Sequence, residues 1–243
     1  MIKKRNIWIF PFILMGVLLM ITNSCNKDDE KDEKDEKKDD PPALITGTVQ
    51  DIEGNTYKTV KIGTQWWMAE NLKTTKYRDG TSIPNVTDNT AWINLTTGAY
   101  SDYDNTPSNS ATYGRLYNWY AATDAHNIAP TGWHVPTDVE WSTLTTYLGG
   151  ENVAGGKLKE IGTTHWTSPN TGATNETGFT ALPGGGRGTS GTFYYIGNYG
   201  YWWSATEYSA TYAWYRGMLH YLSDVGRDSV SKKLGFSVRC VRD

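Results

Sequence analysis

The apolar residues between positions 137 and 150 recur with the period of an α-helix. Three large apolar side chains share one helical face: Trp141, Leu144 and Leu148. Thr137 is a suitable N-cap, and Glu140, three residues later, completes a capping box. The glycines at 149–150 can adopt the left-handed conformation that ends a helix. The pattern therefore predicts a helix that begins after Thr137, ends near residue 148 and packs its apolar face against the core.

Alternation of apolar and polar residues predicts strands near both ends of the region that begins at residue 43. Residues 44–62 alternate in places around the turn signal at 53–55, which indicates a β-hairpin. Residues 62–72 contain a second turn at 63–64 and predict another strand after it, which contains Trp66 and Trp67. Three further strands are predicted at 202–208, 213–221 and 235–241; in the last, Phe236, Val238 and Cys240 alternate with Ser237, Arg239 and Val241.

The segments between these elements carry weaker patterns. Residues 73–107 are rich in turn signals, and residues 112–123 read as a helix with Tyr113, Leu116 and Tyr120 on one side. Residues 151–201 are rich in Gly, Thr, Asn and Ser and show little periodicity, so we expect a long loop region of the kind that often carries function. The whole pattern predicts an α+β fold with two helices, short antiparallel strands and a long loop region.

The first 25 residues have the composition of a targeting segment. A positive stretch at 3–5 precedes an apolar stretch at 7–21, which has the length of a signal peptide and is short for a membrane span. Cys25 stands where the apolar stretch stops, and the residues before it resemble the bacterial lipobox, in which the cysteine is acylated. We predict a lipoprotein signal peptide over residues 1–25 with Cys25 as the lipidation site; cleavage with Cys25 incidental is the alternative.

Residues 26–42 read as a charged tether. They contain five lysines and nine acidic residues, so their net charge is −4, and no aromatic or aliphatic residue is present. Lys27-Asp28-Asp29 resembles the export signal of lipoproteins that Bacteroidota place on the cell surface. We therefore expect membrane attachment through the lipid anchor, at the outer membrane and facing the cell exterior.

Charge and cysteine content narrow the possible partners and cross-links. The region beyond the tether is near neutral and has no basic stripe, which argues against a nucleic-acid partner. The chain has two cysteines, so acylation of Cys25 would leave Cys240 without a partner in the chain. Packing must then stabilise the domain, and the 10 Trp and 16 Tyr residues that lie beyond the tether supply much of the bulk.

Six sequence blocks occur in the order in which one known family has them: Tyr113–Ala122, Gly132–Trp141, Leu158–Trp166, Gly178–Arg187, Tyr201–Glu207 and Gly235–Arg242. Together they resemble the Fibrobacter succinogenes major paralogous domain family over roughly residues 56–243. The resemblance implies a C-type-lectin-like fold, related to that of the formylglycine-generating enzyme, and implies no particular activity. We expect one lectin-like domain over residues 43–243, after the signal peptide and the tether.

The chemistry of these relatives does not fit the sequence. The resemblance places the copper-binding cysteine pair of the formylglycine-generating enzyme between Arg216 and Phe236, and this interval contains no cysteine. The nearest counterpart of the lectin calcium loop, residues 168–170, has Ser168 where a carboxylate or amide ligand is needed. A second loop with Asp102, Asp104 and Asn105 could contact a cation, although turn formation explains these residues equally well. We predict no metal site and no cofactor.

No catalytic constellation emerges from the remaining polar residues. None of the four histidines has metal-ligand spacing to another, and we interpret His134 and His165 as packed, hydrogen-bonded side chains. Three glutamates are candidates for a hydrolytic carboxylate pair, but no spacing singles out two of them: Glu160, Glu176 and Glu207. We therefore predict that the protein is not an enzyme.

Aromatic residues are dense after Gly191, and such rings stack on sugar faces and peptides. The candidate ligand-binding residues are Arg187, Phe193, Tyr194, Tyr195, Tyr199 and Trp203. At least one of Trp202 and Trp203 is expected in the core. The resulting hypothesis is a non-catalytic surface lipoprotein that binds a glycan or a protein; a structural or adhesive surface subunit and a hydrolase with an unrecognised carboxylate pair are the alternatives.

Overall fold

Residues 43–242 are described by the computed structural model, and they form the predicted α+β fold. The predicted signal peptide (1–25), the tether (26–42) and the lipidation site Cys25 lie outside the described residues. Between residues 43 and 242, no helix combines the length and the apolar character needed to cross a membrane.

The strands of the described region form two larger sheets and one small one. The strands are β1 Thr46–Gln50, β2 Thr56–Ile62, β3 Gln65–Met68, β4 Tyr100–Ser101, β5 Leu116–Tyr117, β6 Gly184–Arg187, β7 Phe193–Ile196, β8 Tyr199–Glu207, β9 Tyr212–Leu219, β10 Gly226–Ser231 and β11 Val241–Arg242. One sheet has the order β1-β2-β3-β11, a second has the order β10-β9-β8-β6-β7, and β4 pairs with β5. All pairings are antiparallel except that between β6 and β8.

Five α-helices, all short, lie between these strands in the described region, where the sequence predicted two. They are α1 Asn89–Ile93, α2 Pro107–Tyr113, α3 Trp119–Ala122, α4 Asp138–Tyr147 and α5 Glu151–Leu158. The predicted N-terminal hairpin is confirmed as β1 and β2, and the predicted strand with Trp66 and Trp67 is confirmed as β3. The C-terminal β11 pairs with β3, so the end of the domain returns to its first sheet.

Helix α4 has the predicted start. The Glu140 N–H donates to Thr137 Oγ1 at 3.2 Å, and the Thr137 N–H donates to Glu140 Oε2 at 2.7 Å, which forms the capping box. Trp141 and Leu144 are buried, and the Trp141 ring lies 4.7 Å from that of Trp67 on β3. The apolar face of the helix is buried, as the periodicity predicts, in a cluster that contains Trp67 of the first sheet and Trp202 and Met218 of the second.

The prediction of one helix over residues 112–123 is wrong. Helix α2 ends at Tyr113, β5 follows, and α3 begins only at Trp119. Gly114 has a left-handed φ of 74°, and a Cβ at this position would lie 2.6 Å from Asn71 Cβ. The chain turns sharply there to bring β5 beside the core, which a continuous helix would prevent.

The prediction of a long loop over residues 151–201 is also wrong in part. Helix α5, strands β6 and β7 and the start of β8 all lie in it. Gly155 and Gly156 weaken the helical signal of α5, yet a Cβ on either would collide with backbone atoms of Asp224 or Gly172. These glycines serve close backbone packing, which the sequence alone does not reveal.

Strand β8 separates two hydrophobic clusters. Successive side chains of a strand point to opposite faces, so Trp202 and Trp203 enter different clusters, and both are fully buried. Trp202 Nε1 donates to Asn71 Oδ1 at 2.9 Å, and Trp203 Nε1 donates to the Tyr117 carbonyl at 2.8 Å. The expectation that at least one of the two tryptophans lies in the core is confirmed.

The predicted strand 235–241 is mostly irregular and is buried on both of its alternating faces. Only its last residue, Val241, belongs to a strand, and Ser237 and Arg239 are as buried as their apolar neighbours. The Arg239 guanidinium donates to Asn71 Oδ1 at 2.8 Å and to the Thr180 carbonyl at 2.7 Å, and it lies over the Phe179 ring. The polar side of this segment therefore does not face solvent, because backbone and amide oxygens accept the hydrogen bonds of the buried Arg239. Strand β10 lies between two of the predicted strands and was not itself predicted from the sequence.

Candidate functional site

Six tyrosines of the second sheet and its following loop form one aromatic patch, here named the tyrosine surface: Tyr194, Tyr195, Tyr199, Tyr201, Tyr215 and Tyr221. They come from β7, β8, β9 and the connection between β9 and β10. Phe236 lies beneath them, 4.8 Å from the Tyr201 ring and nearly parallel to it, with an interplanar angle of 18°. The patch is therefore built on the buried core and ends at exposed rings.

The exposed part of the tyrosine surface is its rim. Tyr195 and Tyr221 are 52% and 46% exposed, whereas Tyr201 and Tyr215 are half-buried. The Tyr199 ring lies between the two exposed rings, 4.5 Å from Tyr195 and 6.2 Å from Tyr221. Contacts between neighbouring rings restrict the rotamers of these side chains. The rim therefore exposes aromatic faces and edges to solvent in a fixed arrangement.

Tyr195 owes its position to an uncommon backbone conformation. Its φ is 65°, in the left-handed region that bulky side chains rarely adopt, and its carbonyl accepts a hydrogen bond from the Asn198 N–H at 3.0 Å. Neighbouring side chains of a regular strand point to opposite faces. The left-handed φ breaks this alternation, and the Tyr194 and Tyr195 rings meet on the same side at 5.3 Å.

Four phenol groups of the tyrosine surface are neutral at physiological pH, those of Tyr194, Tyr199, Tyr201 and Tyr215. Burial raises the pKa values of Tyr194, Tyr201 and Tyr215. A hydrogen bond with Tyr221 raises the pKa of Tyr199. Each of these four residues thus offers a ring together with a hydroxyl that can donate and accept hydrogen bonds.

Three of the residues that the sequence nominated for ligand binding lie elsewhere. Trp203 is fully buried in the core, as described above. Arg187 is also fully buried and donates to the Gly191 carbonyl at 2.8 Å, the Thr87 carbonyl at 3.0 Å and the Val86 carbonyl. Phe193 packs 4.8 Å from the Arg187 guanidinium and 5.3 Å from the Tyr103 ring. Arg187 and Trp203 are inaccessible to a ligand, and Phe193 serves the packing around Arg187.

The other three candidates lie together in the tyrosine surface: Tyr194, Tyr195 and Tyr199. The remaining three tyrosines of this surface were not among the candidates predicted from the sequence. Tyr201 shares the face of Tyr199 because the two are separated by one residue in β8, a signal that the sequence did contain. Tyr215 joins them across the β8–β9 ladder, where Trp203 is its partner, and Tyr221 arrives through the following loop. No local pattern marks Tyr215 or Tyr221, since only the tertiary structure places them there.

The candidate glutamates do not pair with one another in the structure. Glu160 accepts a hydrogen bond from His165 Nδ1 at 2.8 Å, Glu176 lies 3.2 Å from Lys157 Nζ, and Glu207 lies 2.7 Å from Lys232 Nζ. Each of the three carboxylates therefore has a different partner. His134 Nε2 lies 2.5 Å from Glu140 Oε1, so the interpretation of His134 and His165 as hydrogen-bonded side chains is confirmed.

A separate cavity of about 590 Å³ lies between the first hairpin and the loop at 178–182. Glu70 and Glu160 line it together with threonine side chains and Leu44. Glu70 Oε2 accepts the Lys58 N–H at 2.6 Å, and Glu160 is held by His165, so both carboxylates are fixed in orientation. The cavity contains none of the aromatic residues of the tyrosine surface and is a site distinct from it.

In the loop with Asp102, Asp104 and Asn105, the side chains and backbone have the contacts and conformations of a turn. Asp102 Oδ1 accepts a hydrogen bond from Ser110 Oγ and lies 3.2 Å from Arg115 Nε, while the other two residues have left-handed φ values of 53° and 54°. Among residues 43–242, no group of three or more His, Cys, Asp or Glu side chains is arranged to hold a metal ion.

Comparison with known proteins identifies one family. The model of the Fibrobacter succinogenes major domain family matches residues 60–242 of the chain. No curated protein and no solved structure matches the chain.

Proposed function

This chain belongs to the Fibrobacter succinogenes major domain family, and we propose that it is a non-catalytic binding module that captures a glycan through the tyrosine surface. The observation that carries the proposal is the conformation of Tyr195: its side chain is half-exposed and its backbone has a φ of 65°. A left-handed conformation costs about 1–2 kcal/mol for a residue other than glycine. Backbone strain that keeps a large ring in solvent is typical of a binding site rather than of a packing contact.

The chemistry of the tyrosine surface favours a neutral sugar chain. Ring faces pack against the apolar faces of sugar rings, and the phenol hydroxyls can bond sugar hydroxyls. The six residues carry no formal charge, and Asp228 stands only at the edge, near enough to Tyr215 to raise the pKa of that phenol further. A charged ligand would find little to compensate its desolvation here. A protein partner, as in an adhesive or structural subunit, is the alternative outcome of the binding test.

The cellular setting of the proposal comes from the sequence. Acylation at Cys25 would anchor the chain in the outer membrane, and the tether at 26–42 would hold the binding module on the exterior face. A nucleic-acid partner, a metal ion and a cofactor form no part of the proposed activity. Protease treatment of intact cells tests the location: we expect degradation without membrane disruption, and survival until the membrane is broken would place the protein inside.

A glycan array with the purified protein tests the binding activity. We expect the wild type to bind a subset of neutral glycans and the double variant Tyr195→Ala/Tyr199→Ala to lose at least about tenfold in affinity, the equivalent of one lost stacking contact of about 1–1.5 kcal/mol. Tyr147→Ala is the matched control, because Tyr147 on α4 is 66% exposed and lies outside the tyrosine surface. Equal binding by both variants, or binding to proteins alone, would reject glycan capture at this surface.

The hydrolase alternative requires a separate measurement. Any glycan that binds is incubated with the protein, and its products are separated by chromatography. We expect no cleavage. Cleavage that disappears in Glu160→Gln would instead assign catalysis to the cavity that Glu160 lines.

A further inference from the structure

Lys159 is a fully buried lysine that immediately follows helix α5. Its Nζ donates hydrogen bonds to three backbone carbonyl oxygens, those of Thr171 at 3.0 Å, Leu219 at 3.0 Å and Leu222 at 2.7 Å. We name these three oxygens the oxygen cage. The Trp166 ring closes one side, with its centroid 5.3 Å from Nζ. Each of the three N–H groups of the ammonium therefore has an acceptor.

The oxygen cage has the chemistry of a cation site. Three carbonyl dipoles converge on one point, and the Asp224 carboxylate lies near enough to raise the pKa of Lys159, while one of its oxygens is buried without a hydrogen-bond partner. Burial has the larger effect and lowers the pKa of Lys159 to about 8, so the group is an ammonium at neutral pH. The oxygens stand farther from the centre than the about 2.0–2.6 Å typical of magnesium and calcium.

We propose that the oxygen cage is a monovalent-cation site that the chain fills with its own lysine, and that this ammonium positions Tyr221. The cage suits an ammonium group because its N–O distances are those of charge-assisted hydrogen bonds. Removal of the lysine side chain would leave a site for a small alkylammonium ion. The second part of the inference, the positioning of a binding residue, rests on the proposed function of the tyrosine surface.

The path from the cage to the tyrosine surface is short. Tyr221 stands between Leu219 and Leu222, and the carbonyl oxygens of both belong to the cage. The backbone carbonyl of the adjacent His220 accepts a hydrogen bond from the Thr171 N–H at 2.8 Å, and the backbone N–H of His220 donates to the Asn198 carbonyl at 2.9 Å. One ammonium therefore joins the end of α5, the loop at 168–171 and the loop that carries Tyr221.

Chemical rescue tests the cage. In Lys159→Ala, n-propylammonium matches the part of the side chain that has been removed, and 1-propanol is its uncharged counterpart. Loss of charge-assisted hydrogen bonds should raise the hydrogen-exchange rates of the Thr171 and His220 amides by about tenfold or more and should lower the Tm. We expect n-propylammonium chloride, and not 1-propanol or equal sodium chloride, to reverse both changes with saturation. Lys157→Ala is the control, since Lys157 lies on α5 but forms only an exposed pair with Glu176.

The outcomes separate the cage from the proposed function. Equal effects of n-propylammonium and 1-propanol would overturn the cation site, as would wild-type exchange rates in Lys159→Met, which keeps the length of the side chain without its charge. If Lys159→Ala does not fold, Lys159→Met carries the test through its exchange rates. Tm and exchange require no glycan, so they report on the cage even if no glycan binds. Where a glycan does bind, weaker binding by Lys159→Met with restored affinity in Lys159→Arg supports the positioning of Tyr221, and unchanged binding by Lys159→Met rejects it.

Discussion

The rings of Tyr195 and Tyr199 lie 4.5 Å apart at an interplanar angle of 41°, at opposite ends of the turn that joins β7 to β8. Tyr195 adopts a left-handed φ in this turn, and the hydrogen bond from the Asn198 N–H to its carbonyl holds the conformation. A glycine would adopt the same backbone without strain. The ring at this position is therefore kept at an energetic cost, which gives the site a measurable signature.

Replacement of Tyr195 should separate stability from binding. We expect Tyr195→Gly to exceed Tyr195→Ala in free energy of unfolding by about 1 kcal/mol, because only the glycine relieves the left-handed strain. Both variants should lose glycan binding to the same extent. Urea denaturation together with the glycan array provides the comparison, and an alanine variant as stable as the glycine variant would contradict the assignment of strain.

Arg187 should matter for stability and not for direct ligand contact. Its buried guanidinium bonds backbone carbonyls and lies 4.3 Å from the Trp92 ring. We expect Arg187→Met to lower the free energy of unfolding by about 2–4 kcal/mol, since several carbonyls lose their donor. Arg187→Lys should recover only part of this loss, because one ammonium cannot span the same acceptors. A fully stable Arg187→Met with weakened binding would restore the residue to the binding site.

Asp138 should contribute to stability against acid. The carboxylate pairs with Arg216 and Arg227 at 2.8 Å each. Burial raises the pKa of Asp138, but the hydrogen bonds and charges of the two arginines outweigh burial and lower the pKa below 3.8. Since the folded pKa lies below the unfolded one, the contribution is present above pH 4 and is lost as the pH falls further. Asp138→Asn should flatten the decline of stability below pH 4 in urea titrations, and an unchanged slope would reject the linkage.

Cys240 should be unreactive in the folded protein. It is a free thiol that is fully buried in the hydrophobic cluster that also contains Trp203, and burial raises its pKa well above the usual range. A thiolate is the reactive species. We therefore expect labelling by a disulfide reagent only at the rate of unfolding, and acceleration of labelling by urea. Rapid modification under native conditions would show that the site opens locally.

The elements that the sequence predicted correctly have local signals. The capping box of Thr137 and Glu140 begins α4, and the turn at 53–55 joins β1 to β2, because in both cases the determining contacts lie within a few residues. The prediction failed where a long-range contact decided the structure. Gly114 ends α2 against Asn71, and the glycines at 155–156 allow α5 to meet a distant backbone, so neither position follows its local propensity.

The candidate site was predictable only in part for the same reason. Aromatic density after Gly191 pointed to Tyr194, Tyr195 and Tyr199, which do lie together. Alternation could not show that two buried clusters flank β8, which removes Trp203 from the surface. Tyr221 comes from beyond the β8–β9 hairpin, and its position depends on the oxygen cage around Lys159.

Three buried cations hold the domain's irregular segments from within. Like Lys159 and Arg187, Arg239 bonds backbone oxygens and lies against an aromatic ring, and none of the three forms an ion pair within residues 43–242. Because these contacts hold the loop backbones from the inside, the loop conformations do not depend on which side chains face outward. A combinatorial library that randomises Tyr195, Tyr199 and Tyr221 should consequently yield mostly soluble members with new specificities, which would make this domain a cystine-independent display framework.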